Sequence, residues 1–121
     1  MATRATYNFT NNYLAGSDVC IYVHHDNYPS GASEKFKASM SKGGRLSVEN
    51  FIRNNDGAHI TAGHEAHGDT EYYYDIDTAK REVQCWRVRN EFDNEGGYQR
   101  LEQRMCKKPI DEFINDYTTG E

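Results

Sequence analysis

EYYYDI at residues 71–76 and EVQCWRVR at residues 82–89, with Asp77-Thr78-Ala79-Lys80 between them, decide the fold. Both runs are rich in aromatic and β-branched residues, and the tetrapeptide that joins them is turn material, so two antiparallel strands are expected. Side chains alternate across a strand. Val83, Cys85 and Arg87 should therefore face one way and Gln84, Trp86 and Val88 the other, with Tyr73 facing away from Tyr72 and Tyr74. Working towards the N-terminus, residues 58–62 read as a short strand. VCIYV at residues 19–23 reads as the best strand of that half, and residues 3–9 as one that puts Ala5, Tyr7 and Phe9 on a single side. Residues 24–31, which combine Asp, Asn, Pro and Gly, read as an ordered loop.

Helices fill the spaces between. From Ser33, Phe36 and Met40 recur at i and i+4 until Gly43-Gly44. Ser47 is an N-cap for a short helix holding Val48, Phe51 and Ile52, which Asn54-Asn55-Asp56-Gly57 ends. Pro109, as a first helical residue, opens a last helix with Ile110, Phe113, Ile114 and Tyr117 on one face. Residues 98–105 fit both periods: Tyr98, Leu101 and Met105 suit a helix, while Leu101, Gln103 and Met105 suit a strand. The expected class is α+β, an antiparallel β-sheet with two or three short helices, in a single ligand-binding domain over residues 1–121.

The 121 residues suffice for one core. A mean hydropathy of -0.95 is low for a folded chain. Nine Tyr, five Phe and one Trp offset it, because each ring buries a large area. With so polar a composition, self-association into a homo-oligomer is expected. A net charge of -5 argues against bulk nucleic-acid binding. Arg81, Arg87, Arg89, Arg100, Arg104, Lys107 and Lys108 nevertheless gather in one stretch, which leaves local anion binding open. Cys20, Cys85 and Cys106 are odd in number and lack CxxC spacing, as expected of reduced thiols in a cytosol. No apolar run approaches the roughly 20 residues of a membrane span.

Three constellations could carry chemistry. His64-Glu65-Ala66-His67-Gly68-Asp69 has its histidines at i and i+3, not the i and i+4 of a zinc protease helix. Together with His24, His25 and Asp26 it could still build a hydrolytic metal site, although no metal and no cofactor is expected. A tyrosine ring projecting from residues 72–74 could stack on a base while arginines take phosphates. Arg100 and Arg104 share a direction on either a helix or a strand, and two neighbouring guanidiniums there favour an anion between them.

With HHDNYPSG at residues 24–31, FIRNNDGAHIT at 51–61, HGDTEYYYDI at 67–76 and PIDEFIND at 109–116, the chain resembles the phage Thoeris anti-defence sponge family. The resemblance spans residues 24–116. It implies an antiparallel sheet with helices, assembled as dimers or larger assemblies of dimers. It further implies a protein of the host bacterial cytoplasm that binds cyclic ADP-ribose-type signals, or cyclic oligonucleotides, without cleaving them. By that resemblance Arg100 and Arg104 match a phosphate-binding pair, Tyr73 or Tyr74 the stacking ring, Arg53 a further phosphate contact, and His25 completes the ligand-binding set. The expected partner is thus a cyclic adenine nucleotide, with no membrane and no bulk nucleic acid. Two readings compete with this non-enzymatic sponge: a protein–protein inhibitor of the anti-CRISPR kind, and a small metal-dependent hydrolase using His24, His64, His67 and Asp69.

Overall fold

Asn27 is a polar residue with 0% exposure, and the centre of the molecule is arranged around it. Its amide nitrogen donates to the carbonyls of Thr3 (2.7 Å) and Val23 (2.8 Å). Its Oδ1 accepts from the Tyr7 hydroxyl (2.5 Å), and its backbone carbonyl accepts from Tyr74 (2.7 Å). Buried polar groups need such partners, and Asn27 supplies one to each of these.

The computed structural model describes residues 3–10, 18–25, 27–40, 46–55, 57–61, 63, 70–92 and 96–118. In chain order the elements are β1 (Ala5–Thr10), β2 (Val19–Val23), α1 (Pro29–Ser39), α2 (Val48–Arg53), β3 (His59–Thr61), β4 (Tyr72–Asp77), β5 (Glu82–Phe92), β6 (Tyr98–Pro109) and α3 (Ile110–Thr118). The strands form one six-stranded sheet in the order β3-β2-β1-β4-β5-β6. The α+β class expected of the sequence is what is found, with three short helices. The sheet is antiparallel except at its centre, where β4 lies parallel to β1. That exception follows from the connection. A parallel neighbour needs a crossover, and α1 and α2 lie in the chain between the two strands.

All three helices cover the same face. Ala5, Tyr7, Phe9, Ile21, Val23, Tyr72, Tyr74, Ile76, Val83 and Cys85 point into it, meeting Ala32 and Phe36 of α1, Val48 and Phe51 of α2, and Ile110 and Phe113 of α3. Tyr7 and Tyr74 stack at 4.8 Å, and the edge of Phe36 meets both rings. Burial pushes both phenols well above their ordinary pKa, so they stay neutral hydrogen-bond donors.

Local chemistry sets the boundaries. Ser47 caps α2 by accepting from the Asn50 backbone N–H (3.2 Å), and Gly57 beyond it takes φ +83°, where a side chain would be strained. α1 begins at Pro29, four residues before the expected Ser33, so part of the expected loop is helix. Proline's fixed φ suits a first helical turn, and the Ala32 N–H closes that turn onto the Tyr28 carbonyl (2.8 Å). Residues 98–105, which fit either period, are strand. β6 pairs with β5 from Phe92–Tyr98 to Glu82–Pro109. It runs directly into α3, whose Ile110 N–H reaches the Arg81 carbonyl (2.9 Å), and Lys108 pairs with Asp116 to hold strand and helix together. Pro109 is consequently the last residue of β6 and not the first of the helix.

Asn27→Ala would leave the Tyr7 hydroxyl and two carbonyls without partners in the core. At about 1–3 kcal/mol for each buried group, a loss of roughly 3 kcal/mol or more is expected from urea unfolding of the variant.

Candidate functional site

With the helices on one face, the residues that alternate to the other face form a second surface. The register across the last three strands sets Tyr73 opposite Trp86 and Trp86 opposite Arg104. One step along, Val88 faces Glu102, and one further Asn90 faces Arg100. Directly paired residues share a face. Tyr73, Trp86 and Arg104 therefore form a row across the sheet, with Glu102 next to Arg104 along β6.

A bulge makes this possible. The pairing slips between Cys85 and Trp86, so that Cys106 opposes Cys85 on the helix face while Arg104 opposes Trp86 on the outer one. Met105 is the extra residue, 47% exposed, and its sulfur lies 3.9 Å from the Cys85 thiol. Without the slip, a strict alternation back from Cys106 would turn Arg104 inwards with it.

The two rings of the row stack at 5.4 Å and 12°. The Tyr73 hydroxyl donates to Glu102 (3.2 Å), fixing a carboxylate between the two arginine positions. Tyr73 is only 8% exposed and Trp86 partly so, whereas Arg104 and Glu102 are exposed. The Trp86 indole nitrogen is closed off from solvent and has no acceptor among the described residues. A buried donor left so costs about 1–3 kcal/mol.

Of the ligand-binding residues expected from the sequence, the fold brings together Tyr73 and Arg104, through Trp86 between them. Residues 100 and 104 are four apart on β6, a backbone separation of about 13 Å at roughly 3.3 Å per residue. Tyr74 points the opposite way. It is fully buried, stacked on Tyr7, with its hydroxyl committed to Asn27, so the two candidate stacking rings separate and Tyr73 is the one on the outer face. Arg53 is exposed at the end of α2, a helix of the covered face. His25 is exposed just beyond β2, its ring edge-on to His24 at 4.6 Å. β2 is four strands from β6, about 19 Å at ~4.8 Å per strand. Neither Arg53 nor His25 joins the row within one chain.

Asp26, His64, His67 and Asp69 lie outside the described residues. His24 has the Tyr22 hydroxyl 3.3 Å from its Nδ1. Among the described residues, no three His, Cys, Asp or Glu side chains are placed to hold a metal. No helix among them is long and apolar enough to cross a membrane. Trp86 and Glu102 are the residues that sequence reasoning passed over as site members. The signal for Trp86 was present in its alternation with Cys85. That for Glu102 required knowing that residues 98–105 are strand.

Comparison of the chain with family models, with curated proteins and with solved structures gives no match.

The three cysteines are free thiols. Burial, reinforced by Asp75, pushes Cys20 up to about 11, and burial reinforced by Cys106 pushes Cys85 up to about 12. Cysteines of the unfolded chain titrate near ~8.5. Above that value the native state keeps protons that the unfolded state releases. The stabilisation is therefore complete below pH ~8.5 and declines as pH rises through the folded values. Melting temperature should fall across this alkaline window, and iodoacetamide at mildly alkaline pH should modify the half-buried Cys106 before Cys20 and Cys85.

Proposed function

We propose that this protein is a non-enzymatic sponge: it binds a cyclic adenine-nucleotide immune signal of the cyclic ADP-ribose type and withholds it from its receptor in the host bacterial cytoplasm. The observation that carries the reading is the cross-strand row of Tyr73, Trp86 and Arg104, with residue 100 four positions before Arg104 on β6. Rings beside guanidiniums suit a ligand that is flat at one end and anionic at the other. An overall charge of -5 does not oppose this, because a guanidinium fork acts on the phosphate it touches.

Sequestration requires affinity, not turnover. Nanomolar binding corresponds to about -12 kcal/mol, within reach of one stacking contact and several charge-assisted hydrogen bonds in a site that excludes water. Further contacts can come from a second copy in a homo-oligomer. β6, twelve residues long, ends the sheet, and its outer edge offers backbone donors and acceptors to another chain.

Incubation with cyclic ADP-ribose, followed by filtration, heat denaturation and chromatography, tests the reading. A sponge retains the nucleotide before heating and returns it intact afterwards. An altered nucleotide means an enzyme, and free nucleotide before heating means no binding. Arg104→Ala should weaken calorimetric affinity about ten- to a hundredfold, the equivalent of roughly 1.5–3 kcal/mol for a charge-assisted bond. Arg104→Lys should restore part of it, since an ammonium lacks the bidentate fork. Arg100→Ala should act in the same direction. Because Arg104 is exposed, its melting temperature should not change.

A further inference from the structure

The indole N–H of Trp86 is a donor in need of an acceptor, at the centre of the row. Its nitrogen is shielded from solvent and unpaired among the described residues, although the side chain as a whole is partly exposed. Tyr73 covers one face of the indole in a near-parallel stack. Its cross-strand neighbour on β6 is Arg104, an exposed residue. Side chains paired across two strands stand about 5 Å apart at their Cβ atoms, so one oxygen can meet both donors.

We infer that Trp86 is a ligand-binding residue: its Nε1–H and the Arg104 guanidinium together form a two-donor seat for a phosphate oxygen. This rests on the nucleotide-binding reading above and adds to it the ligand atom recognised and a residue to recognise it. The unpaired N–H favours the bound state, because the acceptor it gains replaces no hydrogen bond already made within the described protein. The nitrogen is shielded in its present setting, so engaging the ligand requires the indole to turn out of its stack on Tyr73, whose own hydroxyl is tied to Glu102. A phosphate offers Arg104 a charge-assisted hydrogen bond that a neutral base or sugar cannot, so the seat selects the phosphate and not the nucleoside.

Trp86 is the single tryptophan of the chain, so the indole N–H of 15N-labelled protein is one resonance that reports this atom alone. On addition of cyclic ADP-ribose it should move downfield, as a newly hydrogen-bonded proton does, whereas adenosine at the same concentration should leave it in place. Trp86→Phe keeps a stacking ring but removes the donor, and should lose roughly tenfold or more in calorimetric affinity. An indole resonance that stays put while calorimetry records cyclic ADP-ribose binding overturns the seat and leaves the sponge reading intact. So does a resonance moved equally by adenosine, or unchanged affinity in Trp86→Phe. No heat of binding with the wild-type protein removes both. Should Trp86→Phe fail to fold, the wild-type resonance decides alone.

Discussion

A fully buried amide must have its hydrogen bonds met by protein, and Asn27 has them met from three strands at once. Thr3 precedes β1, Val23 ends β2, Tyr7 belongs to β1 and Tyr74 to β4. The residue thus clamps the parallel pair at the centre of the sheet to the end of its antiparallel neighbour. Two residues later Pro29 starts α1, so the clamp also fixes where the crossover chain leaves the sheet and which face it covers. Phe36 and Phe51 then pack on Tyr7, and Phe113 closes over Phe36 and Tyr74. A chain with 36% hydrophobic residues holds its core through these rings and through polar groups that stay fully paired.

With every helix on one side, alternation along β4 and β5 dictates what the other side shows. Tyr72 and Tyr74 belong to the core, and Tyr73 between them must leave it. Arg87 illustrates the same rule from the opposite direction. It returns to the helix side, lies 4.9 Å over the Tyr72 ring and 3.8 Å from the Glu71 carboxylate, and so takes no part in the outer row. The bulge at Met105 then decides which β6 residues join Trp86. One inserted residue exchanges the faces of the residues before it, and this turns Glu102 and Arg104 outwards together.

Much of this was legible in the residues. The alternation of residues 82–89, the opposite sense of Tyr73, the Ser47 cap and the face of α3 all depend on local periodicity, and local periodicity is written in the chain. The parallel β1–β4 pair was not, because it depends on where the crossover lands and not on either strand's composition. Nor was the state of residues 98–105, where one pattern serves two periods and the long partner strand β5 settles the choice. Asn27 looked like turn material for the same reason that a buried asparagine is hard to foresee: its partners lie 4 to 47 residues away. At the site, the outward position of Trp86 could be read from its alternation with Cys85, whereas that of Glu102 and Arg104 needed the strand assignment and the bulge first.

The helix-covered face holds the fold, and the proposed ligand site lies on the outer face across β4, β5 and β6. Hydrogen exchange with and without cyclic ADP-ribose, read peptide by peptide, tests that division directly. Slower exchange confined to peptides covering Tyr73, Trp86 and residues 100–104, with α1 and α3 unchanged, is the result predicted. Protection centred on α1, α2 or α3, or none anywhere at saturating nucleotide, would contradict it.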